Sequence, residues 1–372
     1  MKPVFIQESN MITPLGYNLD QNFEAVYNKQ SGIQPYIIHP NLGTHNIARI
    51  DDKSLPTLYQ SLPIENNISR IEKLAITALA PLFPEGKKAS PHSLLILSTT
   101  KGNIQAIANQ NITGSYIPSL ATNIANLFGF QKDPIVLSNA CVSGLMALSL
   151  AKRYLQMDLV KEVYVLAVDE ISIFVQSGFH SLQALSPDPC RPYDKNRKGL
   201  NLGEAAVACR VSTEKKNDSI RIAGDANIND ANHISGPSRM GEGLYLSIQN
   251  AMKEALIQVK NIDYIVGHGT ATIYNDEMES IAFHRIGLSD TPLAGYKAYY
   301  GHTLGASGLL ETALLAACMR KNYLLPTLNF EHIGTSQRLN VITNGETHPI
   351  RTALKTASGF AGTNTALILT KE

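Results

Sequence analysis

Five residues in this chain are of types that do chemistry and stand where a backbone can expose them: Cys141, His268, Lys297, His302 and Glu311. Cys141 follows the β-branched run Pro134–Ser138 and precedes Gly144 and a helical pattern of small residues. This is a strand-to-helix turn, where unpaired N–H groups favour a thiolate and leave donors for a developing oxyanion. A lone cysteine in a helix is more often a small core residue, so position at the turn raises the nucleophile reading without deciding it. His268 ends the strand Asp263–Val266 among Gly267, Gly269, Thr270 and Thr272, at the carboxyl end where parallel sheets present binding groups. His302 follows Tyr296–Gly301, read as a strand, and opens a second helix through Gly305-Ala306-Ser307-Gly308. Lys297 and Glu311 bracket His302 and are expected to form an ion pair that sets the tautomer and orientation of that ring.

Other chemistries find little support. His268, Asp276 and His302 follow no metal-ligand spacing, and Gly305–Gly308 lacks the pattern of a phosphate loop, so no metal is expected. The remaining histidines, His233 among them, lack comparable settings and are expected at the surface or in structural roles.

The elements that must position these residues alternate. Strand signals at Ser93–Ser98, Pro134–Ser138 and Glu162–Val168 are separated by helical patterns such as Ser119–Phe128 and Val142–Leu155. Alternation of this kind predicts an α/β protein with parallel sheets covered by helices. The polar run Ser212–Asp218 divides the chain into halves, residues 1–215 with the cysteine and 216–372 with the two histidines. Cys141 and His302 each lie three residues before a glycine at a strand-to-helix turn. This short pseudo-repeat would bring two reactive side chains toward one point from two helix N-termini.

Composition narrows the function classes. With 32 basic and 31 acidic side chains and a net charge of +1, no global field favours nucleic acid or a membrane surface. No apolar run approaches the roughly 18 residues of a spanning helix, and Met1–Gly16 reads as a strand and turn rather than a leader. Four scattered cysteines without CxxC spacing suit reduced thiols, so a cytoplasmic location is expected.

Taken together, the motifs resemble those of the β-ketoacyl-acyl-carrier-protein synthases, in the Cys-His-His branch of the thiolase-like condensing enzymes. The nucleophile motif is matched by Ser138–Gly144, and the stretch with arginines and a Gly-Glu pair by Arg191-Pro192-Tyr193-Asp194, Arg197, Gly199, Gly203 and Glu204. His268-Gly269-Thr270 with Thr272, Asp276 and Glu279 matches the first histidine motif, and Lys297, Gly301-His302 and Gly305–Gly308 match the second. Gly359-Phe360-Ala361-Gly362-Thr363-Asn364 is similar to the terminal glycine-rich motif. Five motifs in the family's order make a specific signal.

The resemblance implies a thiolase-like, five-layered αβαβα fold built from two pseudo-repeated halves, usually dimeric and fed by acyl carrier protein. It implies that Cys141 carries the acyl group and that the N–H groups of Cys141 and Phe360 form the oxyanion hole. His268 and His302 would hold the malonyl thioester during decarboxylation, with Lys297 and Glu311 orienting them. Thr270 and Thr272 would bind the pantetheine arm, and Phe360 would gate the acyl pocket. No cofactor is implied beyond the carrier's phosphopantetheine. Asp276, Glu279, Arg191, Asp194, Arg197 and Glu204 are read as scaffold. A partner subunit resembling a chain-length factor is the alternative; retention of Cys141, His268, Lys297 and His302 argues against it. The dimer implied is a homodimer, or a heterodimer with a related synthase-like subunit.

The sequence departs from the family at Ala361 and Ala205, where glycine is usual, and a Cβ at position 361 predicts a stiffer gate. Arg70, Lys73, Lys195, Arg197 and Lys198 are candidates for a basic rim that receives the carrier, while Gln183 stands where a basic docking residue is common.

Overall fold

The β-branched runs become strands of one eleven-stranded sheet in the computed structural model, which describes residues 2–53, 55, 68–84, 87–232 and 236–372. His233 lies outside the described residues; the other histidines apart from His268 and His302 are exposed or half-buried. The first half contributes β1 (Phe5–Ile12), β2 (Ser93–Ser98), β3 (Ile135–Leu137), β4 (Glu162–Asp169) and β5 (Ala205–Ser212), in the spatial order β1-β5-β4-β2-β3. The second contributes β6 (Ile220–Asn229), β7 (Tyr264–Val266), β8 (Pro292–Ala294), β9 (Asn340–Val341), β10 (Thr352–Ser358) and β11 (Thr363–Lys371), in the order β6-β11-β10-β7-β8-β9. Apart from the extra edge strand β9, the two orders are the same, and so are the directions. β2 runs parallel to β3 and β4 as β7 does to β8 and β10, while β5 and β11 are antiparallel to their neighbours. The half-sheets meet through a short antiparallel contact, Phe5 opposite Arg221 and Ile6 opposite Ile220.

Alternation along the strands sends successive side chains to opposite faces, and each face has its own helices. On the outer face of the first half, Leu95, Leu97, Leu166 and Ala208 pack with α1 (Arg70–Leu79) and α2 (Ile117–Phe128). On the outer face of the second, Ile265, Leu354 and Ile368 pack with α5 (Glu242–Ala255) and α6 (Ile273–Ile286). Between the half-sheets, Leu94, Ile96, Val165, Val207, Val266 and Leu367 enclose α3 (Ser143–Gln156) and α7 (Ser307–Lys321). The result is the five-layered αβαβα arrangement of the thiolase-like fold. All thirteen residues from Ser307 to Met319 are buried, which is why this central helix has no polar stripe.

The two central helices touch at glycines. A Cβ on Gly144 would lie 2.7 Å from the Gly305 carbonyl and 2.9 Å from Leu309 N, and one on Gly308 would lie 2.8 Å from Leu145 N. Only hydrogen side chains allow this reciprocal approach, which draws the two turns preceding the helices together. One sequence-derived element is corrected. Tyr296–Gly301 is not a strand; β8 stops at Ala294, and Lys297–Tyr300 form a helical turn closed by Gly301 N donating to the Lys297 carbonyl at 2.8 Å. Aromatic residues suit strands, but here the hydroxyls must reach partners in different directions. Tyr296 meets the Tyr264 hydroxyl at 2.8 Å, Tyr299 the Pro326 carbonyl at 3.0 Å and Tyr300 the Asn22 carbonyl at 3.3 Å.

Candidate active site

Cys141 sits at the turn between β3 and α3, one residue after Ala140, whose φ is +45°. A left-handed alanine costs about 1 kcal/mol, and the turn is held against that cost by Ser143. Its hydroxyl accepts from Asn139 N at 2.7 Å and donates to the Ala140 carbonyl at 2.7 Å. His302 occupies the equivalent place in the second half. Its N–H donates to the Asn201 carbonyl at 2.7 Å and its carbonyl accepts from Gly203 N at 3.1 Å. Gly301 before it has φ +66°, and a Cβ there would lie 2.4 Å from the Leu202 carbonyl.

The geometry brings together what the chain separates. Cys141 Sγ lies 3.0 Å from His302 Nε2. His302 Nδ1 lies 3.0 Å from Ser307 Oγ, which is 3.0 Å from Thr303 Oγ1. The rings of His268 and His302 are 5.3 Å apart at 84°, and the sulfur and the two imidazoles present atoms within 4.8 Å of one another.

The Lys297–Glu311 ion pair forms at 2.8 Å, but it stands behind His268 and not, as expected from the sequence, at the ring of His302. Lys297 Nζ donates to the His268 carbonyl at 2.6 Å and faces His268 Nδ1 at 3.4 Å. The helical turn at Lys297–Tyr300 is the reason, since it carries Lys297 toward the end of β7. An ammonium can only donate, so Nδ1 of His268 accepts and Nε2 carries the proton. Glu279 completes the mount, accepting from His268 N at 2.6 Å and Gly269 N at 2.7 Å.

Burial governs the protonation states. Cys141 is 7% exposed, and loss of water pushes its thiol up to about 12, with the Lys297 ammonium pulling the other way. The resting thiol is therefore neutral, a correction to the thiolate expected from the turn alone. Burial, then Lys297, hold both imidazoles well below the usual range; the neighbouring His302 adds to this at His268, and Lys355 adds at both rings. The site thus presents a neutral thiol hydrogen-bonded to a neutral base.

The three groups share a cavity of about 460 Å³ with Thr270, Thr272, Phe179, Phe360, Leu182, Ile273 and Tyr274. Tyr274 is 77% exposed and Ile273 60%, so one cavity joins the buried thiol to the surface. Thr270 and Thr272 bring their hydroxyls within 2.8 Å of each other. Phe360 stacks on Phe179 of α4 (Ile173–Ser181) at 5.7 Å, and Phe179 meets the edge of His302 at 6.5 Å. Ala361, next to Phe360, is held at φ +62°.

Sequence reasoning passed over Phe179, Asp169 and Lys355. Asp169, at the end of β4, accepts from Thr99 Oγ1 at 3.0 Å, Thr100 Oγ1 at 2.9 Å, Lys101 Nζ at 2.8 Å and, across the halves, Gly305 N at 2.8 Å. It ties the loop after His302 to the first half. The scaffold residues do as expected: Asp276 accepts from Tyr193 N at 2.7 Å, Asp194 from Glu331 N at 2.8 Å, and Arg197 donates to the Gly334 carbonyl at 2.6 Å. The basic rim is smaller than expected. Arg70 is bound to Glu204 at 2.6 Å and Glu170 at 3.3 Å, and Arg197 is buried, so both serve the fold. Lys198 lines the cavity and pairs with Asp188 at 2.8 Å.

Comparison with known proteins agrees with this geometry. Residues 92–217 match the family description "Beta-ketoacyl synthase, N-terminal domain" and residues 221–331 match "Beta-ketoacyl synthase, C-terminal domain". The 3-oxoacyl-[acyl-carrier-protein] synthase 2 of Coxiella burnetii is 30% identical over 99% of this chain and 98% of its own. A 3-oxoacyl-[acyl-carrier-protein] synthase homolog of Saccharomyces cerevisiae is 24% identical over 99% and 98%. The structure of a ketosynthase (ApeO) in complex with its chain length factor (ApeC) from Xenorhabdus doucetiae superposes with TM-score 0.87 at 25% identity, covering 100% of this chain and 98% of that one. A β-ketoacyl synthase from Burkholderia phymatum gives TM-score 0.84 at 22% identity over the whole of both chains. With its motifs, its duplicated topology and its Cys-His-His cluster in agreement, the chain belongs to the β-ketoacyl synthase family.

Proposed function

We propose that this protein is a 3-oxoacyl-[acyl-carrier-protein] synthase that joins an acyl group on Cys141 to malonyl-acyl carrier protein. The observation that carries the reading is the 3.0 Å contact of Cys141 Sγ with His302 Nε2 at the floor of a cavity that reaches the surface.

In the first half-reaction the thiol proton passes to His302 Nε2 as sulfur attacks the acyl thioester, and the carrier's pantetheine thiolate leaves and takes that proton. The N–H groups of Cys141 and Phe360, at turns where a Cβ on Gly359 would lie 3.3 Å from Cys141 N, are the proposed oxyanion donors. In the second, malonyl-carrier places its thioester carbonyl between the two imidazoles. Breaking the carboxylate–Cα bond releases CO₂ and leaves an enolate, whose Cα attacks the acyl carbonyl on Cys141 and expels the Cys141 thiolate, which takes up one proton from solvent to restore the resting thiol. Each imidazole must then donate from Nε2. His268 already has that tautomer; His302 reaches it between the half-reactions by losing its Nδ1 proton and gaining one at Nε2 through exchange with solvent in the open cavity, and the Ser307 hydroxyl serves either tautomer, accepting from Nδ1–H or donating to Nδ1. Thr270 and Thr272 are the proposed pantetheine contacts, and Phe360 against Phe179 the gate. These steps use no metal or redox cofactor, and the carrier delivers both substrates.

A dimer is part of the reading, with a second copy or with a related synthase-like subunit. It is supported by β3, an apolar strand that is only half-buried at the sheet edge. A cytoplasmic location accords with four free buried cysteines and with no described helix long and apolar enough to cross a membrane. A chain-length-factor-like role is disfavoured by the intact thiol–imidazole contact. Intact-protein mass spectrometry with a panel of acyl-carrier proteins tests the whole. The expected result is an acyl adduct that Cys141→Ala abolishes and that malonyl-carrier discharges as 3-oxoacyl-carrier; no adduct from any carrier overturns the reading.

A further inference from the structure

β10 carries a lysine, Lys355, in a strand buried from end to end. Its side chain is fully buried, where an ammonium is tolerated only with close partners. Those partners are informative. Lys355 Nζ lies 2.6 Å from Glu311 Oε2, a buried ion pair. It also donates to the carbonyls of Val266 at 3.3 Å and Gly267 at 3.1 Å. Lys297 holds the next carbonyl, that of His268, and takes the other oxygen of Glu311. Three successive carbonyls at the end of β7 are therefore fixed by two lysines that one carboxylate couples.

We infer that Lys355 is a positioning residue for the decarboxylating half-reaction, mounting His268 through a Lys297–Glu311–Lys355 chain and placing a second cation behind it. The inference rests on the proposed condensation. Other groups facing His268 are Lys297, Glu279 of α6 with Tyr193 beside it, Glu311 of α7, His302 and Cys141. Of the two cations, Lys297 also acts on the thiol, so a change confined to the histidines points to Lys355.

Lys355→Met removes the charge at nearly constant length, while Glu311 keeps Lys297. Acyl loading of Cys141 is expected within about twofold of wild type. With a cation gone, the imidazoles protonate more readily, so the acid limb of malonyl-carrier decarboxylation moves to higher pH by about one unit. Lys355→Arg restores most of it. An unmoved acid limb, or an equal fall in loading and decarboxylation, overturns the inference. Imidazole ¹⁵N NMR gives a second readout that needs no substrate: the His268 ring is expected to protonate at higher pH in Lys355→Met than in the wild type, with Lys355→Arg close to the wild type, and coincident titration of all three also overturns it. Wild type that loads no acyl group would sink the proposed function instead, leaving the ¹⁵N shifts to decide the role of Lys355.

Discussion

His268 and His302 face one cavity with their rings 5.3 Å apart, yet they are mounted by different chemistry. His268 is held by charges: Lys297 at Nδ1 and the carbonyl, Glu279 at the backbone N–H, with Glu311 and Lys355 behind. His302 is held by hydroxyls, Ser307 at Nδ1 with Thr303 beyond, and carries the thiol on its other nitrogen. A mount of charge fixes one tautomer, whereas a hydroxyl chain can reverse its direction at little cost. In the proposed condensation the difference suits the fixed ring to one task, donating to an enolate, and the adaptable ring to two, taking a proton from sulfur and then donating.

Removing each ring separates the two roles most strongly. His302→Ala is expected to slow acyl loading by roughly 10²–10³-fold, because the thiol loses its proton acceptor. His268→Ala should leave loading within a few-fold while malonyl decarboxylation falls by roughly 10³-fold. Stopped-flow loading and CO₂ release measured separately decide it, and equal losses in both assays for both variants would remove the division of labour.

Changing the mounts gives smaller effects. Lys297→Met, which frees the His268 tautomer, should cost decarboxylation about tenfold to a hundredfold, by analogy with other groups that orient a reactive histidine. Ser307→Ala should cost both half-reactions, by about tenfold or less, since one hydroxyl contact is lost.

The pH dependence has a definite sign. Burial, and then Lys297, hold both imidazoles below their unfolded value near 6.5, so the folded state binds fewer protons than the unfolded one in the window beneath that value. Their contribution to stability is intact above pH 6.5 and is lost as pH falls through the depressed values. Urea midpoints should be level near pH 7 to 8 and decline below pH 6, and a variant lacking both rings should decline less.

The smallest expected effect is at the gate. Ala361 is held at φ +62°, so Ala361→Gly should stabilise this conformation by about 1 kcal/mol, seen as a raised urea midpoint. The sequence alone suggested a gate stiffened by the Cβ. The structure locates the strain in the conformation it adopts, and unchanged acyl loading in Ala361→Gly would show that this strain does not reach Phe360.

The types of the reactive residues were legible because each stands in a local setting with its own physics: a glycine-bounded turn for Cys141, a strand end for His268, a glycine-rich helix start for His302. Alternation of strand and helix signals likewise sufficed for an α/β class. What folding added is distance. The sequence bracket of Lys297 and Glu311 pointed to His302, and only the helical turn at Lys297–Tyr300 sends that pair to His268. Lys355 sits in a strand whose other residues are threonine, alanine, leucine and serine, where nothing local marks it, and its partners across the fold come from β7 and α7. Protonation shows the same division. A turn N-terminus argues for a thiolate, but loss of water outweighs it at Cys141, and burial arises only when the half-sheets close over α3 and α7. Local pattern is written in neighbours along the chain; electrostatics and contact depend on neighbours in space.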